Sequence, residues 1–332
     1  MTESASCIRI VGEDDVRALI DTQSALDLAR RTLKDQGEGG SWLSSPSAMN
    51  LDAREHGGGR FKFKAATVRA VGASGIRLIS RMSAIDPNAK NWHAVYDHGG
   101  LGLSGLVAEL WISRIRTAAF GVAAIEHLVN PGPQVVALFG TGKIASEIVP
   151  MLASALQVKE LRVTSRRPES MQAFVTARAP KLSFAMRAEP EASRAIDGAD
   201  VVITLTEARS PLVKPGMLKR GALVCSMGGG NEVDYGVLEE SQRLIVDDVD
   251  FASEVGDGGA WIAQGHFTRE SFEARVDALA CEVAARTKPG RLSPDDRVVA
   301  IIQGMAIGDV AFAAHALHEA HRLGKGKLVE LP

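Results

Sequence analysis

The chain has 332 residues, 45% of them hydrophobic, with 38 basic and 40 acidic side chains and a formal net charge of -2. That is enough apolar residue for two ordinary domains, each with its own core. Charges so evenly matched leave no electrostatic footprint for nucleic acid or an anionic membrane, so small molecules are the expected partners.

Cys7, Cys225 and Cys281 are widely spaced with no CxxC pair, which suits reduced thiols better than a disulfide framework. The N-terminal MTESASCIRI lacks a charged segment followed by an apolar run. No stretch approaches the ~20 apolar residues that span a bilayer, and a cytoplasmic protein is expected. The eight histidines show no HExxH-like spacing, so no metal site is expected. His315 and His318 lie one turn apart on a predicted helix; without a third ligand they read as surface or packing residues.

In chain order, RFKFKAATV, GIRLISRM and WHAVYD read as strands with mixed faces, joined by Gly-rich turns such as HGGGR and DHGGLGLSG. They predict an α+β domain. Gly100, Gly102 and Gly105 spell G-x-G-x-x-G, but the residues that follow, RTAAFGVAAIEHL, are helical, so no βαβ unit exists there and a loop between strands is expected. In ELWISRIRTAAFGVAA, Glu109 to Ala124, Arg114 and Arg116 stand near the start of an apolar, Ala-rich helix. A buried charge there must be paired, which points to clamping a carboxylate or cofactor phosphates. An exposed position suits Arg114 better than Arg116.

NPGPQ, Asn130 to Gln134, breaks that helix and is the predicted linker. Beyond it, VVALFG, LRVTS, VVITLT, ALVCSMG and RLIVDD alternate with amphipathic stretches. Short apolar strands buried on both faces and separated by helices imply a doubly wound parallel sheet. The late GMAIGDVAFAAHALHEAHRLG is helical in its spacing, with no strand predicted after it, and is expected to return to the first domain. The fold class is thus α/β: a Rossmann-type domain over 131–307, and a discontinuous α+β domain over 1–130 completed by the C-terminal helix, 308–332.

VVALFGTGKIASEIV places Gly140, Gly142 and Ala145 as G-x-G-x-x-A between an apolar strand and a helix. The first glycine permits the tight turn, the second lets backbone amides approach a pyrophosphate, and the small third residue lets helix and strand pack closely. At the tip of the next strand, where NAD-binding folds carry an acid for the ribose 2′-hydroxyl, this chain has Thr164-Ser165-Arg166-Arg167. A serine and two arginines suit a 2′-phosphate, so NADP (as NADPH) is the expected cofactor, with NAD as the alternative.

Taken together, these motifs resemble the ornithine cyclodeaminase/μ-crystallin family. Its G-[VI]-K strand end, [T/S]-x-x-R-T-A-A helix, GxGxxA turn and late G-x-A-x-x-D segment have counterparts in Gly75-Ile76-Arg77, Ser113 to Ala119, residues 140–145 and Gly304 to Asp309. The resemblance implies that Arg116 contacts the cofactor phosphates and substrate carboxylate region. It puts Arg77 in place of the family lysine that holds the carboxylate, and sets Thr206 and Gly304 on the nicotinamide side. Arginine for lysine keeps charge but changes reach. The family's upstream arginine has no counterpart in SWLSSPSAMN; Lys64 is the candidate replacement, an exposed strand lysine the alternative. The loop that carries the cyclodeaminase aspartate is shortened to GGGNEVDYGVL, where Asn231, Glu232 and Asp234 are the candidates and helix capping is the competing role.

The expected catalytic set is therefore Arg77, Lys64 and Asp234. The expected cofactor set is Arg116, Thr117, Gly140, Thr141, Gly142, Lys143, Ile144, Ala145, Ser165, Arg166, Arg167, Thr206, Met227 and Gly304. The resemblance implies that the α+β part is the substrate and dimerisation domain, and that the activity is NADPH-dependent reduction of an imine or of a 2-oxo or imino acid by a homodimer. A cyclodeaminase that recycles NAD and a non-catalytic NADPH-binding protein are the alternatives.

Overall fold

The computed structural model describes residues 7–56, 59–80, 91–99 and 102–331. Gly57 and Gly58 of the HGGGR turn, Arg81 and Met82 of GIRLISRM, and Gly100 lie outside them. The chain divides into two compact units: one runs to Arg116 and resumes at Met305, the other is Thr117–Gly304. The divisions fall elsewhere than at the Pro/Gly linker and residue 308. The Leu110–Leu128 helix runs through the first of them. The prolines mark where a helix ends, which need not be where a unit ends.

The first unit is built on strands β1 (Cys7–Val11), β2 (Ser41–Leu43), β3 (Met49–Asp52), β4 (Arg60–Val68), β5 (Ala73–Ser80), β6 (Trp92–Asp97) and β7 (Leu103–Ala108). Gly105 of the glycine-rich segment read as a loop lies within β7 and pairs with Arg9. The C-terminal helix, Ala306–Arg322, lies across β4, β5 and β6 of this unit. A strand does follow it, contrary to the sequence reading: Lys327–Glu330 pairs antiparallel with β1. KLVE is too short and too polar to read as a strand until a partner edge is present.

This sheet is inverted relative to a usual surface sheet. Along β4 the alternation buries Lys62, Lys64, Ala66 and Val68 and leaves Phe61, Phe63, Ala65 and Thr67 half-buried. The face under the Ala306–Arg322 helix therefore carries charge. The opposite face is apolar and partly open, with Trp42, Ile76 and Leu78 exposed. Gly75 shows how close the helix comes: a Cβ there would stand 3.1 Å from Val310 Cγ2 and 2.8 Å from the Ala94 carbonyl.

In the second unit β8 (Gln134–Phe139), β9 (Val158–Thr164), β10 (Ala185–Ala188), β11 (Val201–Thr204), β12 (Leu223–Ser226), β13 (Arg243–Val246), β14 (Ala278–Leu279) and β15 (Val298–Ile301) form one sheet. Its order is β10-β9-β8-β11-β12-β15-β13-β14, and every pair is parallel. β11, β12, β13 and β15 are buried throughout, as continuous apolar runs in a sheet covered on both faces require. The strand order reverses between β8 and β11, so the ligand crevice of such a sheet lies at the carboxyl ends of those two strands. Among the described residues no helix is long and apolar enough to cross a membrane, and no group of His, Cys, Asp or Glu could hold a metal ion.

Candidate functional site

The first unit brings its charges together along one row. Lys64 pairs with Arg77 across β4 and β5, and Arg77 pairs with His93 across β5 and β6, so all three project from the same face. Asp309 descends on them from the Ala306–Arg322 helix, and Arg116 and Glu109 close the cluster. Every member is almost wholly buried; Lys64 is 4% exposed and Asp309 0%.

Arg77, expected to hold a substrate carboxylate, is engaged by the protein's own. Nη1 donates to both oxygens of Asp309 at 3.2 and 3.3 Å, and Nη2 donates to Glu109 and, at 2.8 Å, to Ser113 Oγ. Arg116 Nε pairs with Asp309 at 2.8 Å. Burial disfavours the charged form of Asp309, but Arg116, Arg77 and Lys64 outweigh it and hold the carboxyl far below the usual range.

Lys64 is in the opposite condition. Burial pushes its ammonium down to about 7, and of the charges around it Asp309 favours the charged form while Arg116, Arg77 and Lys62 oppose it. Burial likewise lowers His93 to about 4, leaving a neutral imidazole beside Arg77 at neutral pH. A buried cation so placed is favourable to an anion brought against it.

In the second unit the GxGxxA turn fits a dinucleotide on three counts. Gly140 has φ 111°, and a Cβ there would meet the Leu205 carbonyl at 2.7 Å, so only glycine makes the turn. Gly142 is the N-cap of the Lys143–Ala155 helix, with no side-chain cap and nothing within 4 Å of where a Cβ would stand. That leaves the first amides of a 13-residue helix open to a phosphate. Ala145 is buried at 1% exposure, as the small third residue of the motif requires, while Thr141 and Ile144 are half-buried and Lys143 is exposed.

Ser165, Arg166 and Arg167 follow β9, the strand beside β8. Both arginines are exposed, and the Ser165 hydroxyl donates to the Arg167 carbonyl at 3.2 Å. Thr206 stands at the end of β11, its methyl 3.4 Å from a Cβ built on Gly140. The Gly304 amide donates to Asp247 Oδ2 at 2.5 Å. Thr117 is buried in its helix, and Met227 is buried with its thioether against Gly121.

Asp234 takes the competing role: it is the N-cap of the Tyr235–Glu239 helix and accepts the Gly236 amide at 2.8 Å. The acid that this loop buries is Glu232. Nothing in the sequence singles out Glu109, His93 or Asp257. Asp309 was in view as the last residue of the G-x-A-x-x-D segment, and that spacing was the available signal. Asp257 lies in GDGGAWIA and carried none.

Residues 102–324 match the family model described as the ornithine cyclodeaminase/mu-crystallin family. A Rhizobium meliloti (strain 1021) protein whose name calls it a dehydrogenase is 31% identical over 236 residues, 68% of this chain and 70% of its own. The fold is shared with Thermococcus litoralis Delta(1)-pyrroline-2-carboxylate reductase in complex with NADH and L-proline, at TM-score 0.84 and 19% identity over 96% of this chain and 99% of that one. It is shared also with an archaeal alanine dehydrogenase dimer with bound NAD, at TM-score 0.86 and 21% identity over 98% and 99%. With its family model matched over most of the sequence and a Rossmann-type sheet behind the GxGxxA turn, this chain belongs to the ornithine cyclodeaminase/mu-crystallin family.

Proposed function

We propose that the protein is an NADPH-dependent reductase of a small carboxylate-bearing imine or 2-imino acid, giving the amino acid. The observation that carries this reading is the buried cluster of Lys64, Arg77 and Arg116, in which burial, together with Arg116, Arg77 and Lys62, outweighs Asp309 and disfavours the lysine's charge. A substrate carboxylate placed there restores the charged form of Lys64. We assign the carboxylate to Lys64 and Arg116. Arg77 supports them by holding Asp309 and Glu109. The nicotinamide, when bound, supplies a hydride to the C=N carbon. The named activity of the Thermococcus litoralis enzyme, reduction of a cyclic imine that bears a carboxylate, supports the same class.

Purified protein is expected to consume NADPH with cyclic ketimine carboxylates, or with pyruvate plus amines, and to form the amino acid. It is expected to release neither proline nor ammonia from ornithine with either oxidised cofactor. Sustained release of both from ornithine would favour the cyclodeaminase; binding of NADPH without turnover would favour a binding protein. The exposed Arg166 and Arg167 support NADPH over NADH. Arg166→Asp should weaken NADPH binding by at least about tenfold, the worth of one charge-assisted bond, and reverse the preference. Equal affinities in the parent protein would sink the cofactor assignment.

The homodimer is proposed to form on the open face of the first unit's sheet. Trp42 is 56% exposed and Ile76 40%, a patch of a kind that soluble monomers seldom leave uncovered. Ile76→Glu is expected to turn the dimer into a monomer in sedimentation velocity. A parent protein that sediments as a monomer rules the interface out.

A further inference from the structure

Among the buried carboxylates of the second unit, two stand directly behind the β8–β11 switch point and touch one another's segments. Glu232 and Asp257 are each 0% exposed. Glu232 Oε1 accepts the amide and the hydroxyl of Thr206, both at 2.6 Å, and Oε2 accepts the Gly228 amide at 3.0 Å. Asp257 Oδ1 accepts the amides of Glu232 and Val233 at 2.6 and 3.0 Å. The acid is thus held by three donors at its side chain and by a second acid at its main chain.

What Glu232 grips is the residue at the switch point. Thr206 follows β11, lies against the first glycine of the GxGxxA turn and is half-buried, whereas Glu232 behind it is sealed. The Thr206 hydroxyl oxygen also accepts the Ala208 amide at 3.1 Å. While Glu232 is ionised, that hydroxyl spends its proton on the carboxylate. Were Glu232 protonated on Oε1 the bond would reverse: Thr206 Oγ would accept from Glu232 and from Ala208, which leaves its own proton for another acceptor.

We propose that Glu232 is a positioning residue that acts through the Thr206 hydroxyl as the proton source for the substrate nitrogen, an inference that rests on the imine-reductase reading. As the C=N carbon takes a hydride, the C=N π bond breaks and nitrogen takes the Thr206 proton. Thr206 Oγ takes the Glu232 proton, and Glu232 is left as a carboxylate facing its three donors. Solvent returns the proton before the next cycle. The product is the amine and the oxidised cofactor, so atoms and charge balance. Burial pushes the Glu232 carboxyl up to about 7 against the hydrogen bonds from Thr206, and the Asp257 carboxylate pushes the same way. Asp257 is itself pushed up to about 6 by burial and is the charged group that faces Glu232 among the described residues.

Three measurements test this. In the parent protein labelled with 13C-carboxyl glutamate, one carboxyl should titrate near 7 and be missing from Glu232→Gln. Turnover in the reductive direction should fall as pH rises through about 7 in the parent, because the protonated acid is then lost. In Glu232→Gln that limb should vanish and turnover drop about a hundredfold, the usual scale of general acid catalysis, with NADPH affinity by fluorescence within twofold of the parent. Should the glutamine variant not fold, Thr206→Val is expected to lose about a hundredfold in turnover and Thr206→Ser, which restores the hydroxyl, to recover most of that loss. An unchanged pH limb in Glu232→Gln, a Glu232 carboxyl that titrates in the ordinary range, or full turnover in Thr206→Val would each overturn the relay while leaving the reductase standing. A parent protein that reduces no imine removes both.

Discussion

Asp309→Asn is expected to destabilise the first unit by about 3–5 kcal/mol, the cost of removing one partner from a buried charge pair. Asp309 is 0% exposed and faces Arg77 at 3.2 Å and Arg116 at 2.8 Å. Its neutral replacement leaves two guanidinium groups and Lys64 packed against one another with Glu109 as the remaining carboxylate. Neither arginine can shed its proton to escape, because guanidinium stays charged at any pH the fold survives. Lys64 can, so its ammonium should be driven further down in the variant. The pH dependence has a definite sign. Folding depresses the Asp309 carboxyl, so its contribution is fully present above the ordinary aspartate range and is lost as pH falls through the lowered folded value. Urea denaturation of parent and variant, at neutral pH and through a series carried below the ordinary aspartate range, reads both effects. A midpoint unchanged by the substitution would show that the cluster contributes nothing to stability.

The second large effect is expected at Lys64. Lys64→Met keeps the length and apolar stem of the side chain and deletes the charge. The Michaelis constant for a carboxylate substrate should rise roughly tenfold to a hundredfold, since a charge-assisted bond is worth about 1.5–3 kcal/mol and each 1.4 kcal/mol is a factor of ten. In the parent the protonated lysine binds, so that constant should itself climb as pH rises through about 7; in the variant this dependence should be gone. Stability should move the other way. A lysine whose pKa is lowered on folding costs the folded state most below about 7, and the cost is relieved as pH rises toward the unfolded value. The methionine variant should therefore be no less stable than the parent at pH 6. Equal loss of NADPH and substrate affinity would place Lys64 elsewhere in the chemistry.

The nucleotide-binding half was legible in the sequence because its signals are contiguous. VVALFG, the glycines at 140 and 142, and the helix that begins at Lys143 lie within one short stretch, and backbone stereochemistry at Gly140 admits no other residue. The apolar runs at β11, β12 and β13 report burial on both faces of a parallel sheet without needing to know their neighbours. The charge cluster was only half legible. Strand alternation says that Lys62 and Lys64 share a face with Ala66 and Val68, but it does not say which face is covered, and a lysine-bearing face reads as the solvated one. What covers it is a helix that begins at Ala306, far along the chain, and it brings the aspartate that engages Arg77.

The same limit explains the reassignments. In the sequence Arg77 reads as a substrate clamp because Glu109 and Asp309 have no local relation to it, and nothing sets Glu232 above Asp234 because burial of a single acid within a Gly-rich loop leaves no periodic trace. Glu232 depends on Asp257, and neither residue's neighbourhood exists before the loops after β11 and β12 meet the Gly256–Ala263 helix that follows β13. Sequence by itself determined what is local here: strand and helix periods, the glycines that left-handed or crowded backbone demands, and the exposed arginines at a strand tip. Only the tertiary structure decided which charges are buried and with whom they pair, because desolvation and ion pairing act between groups that chain connectivity keeps apart.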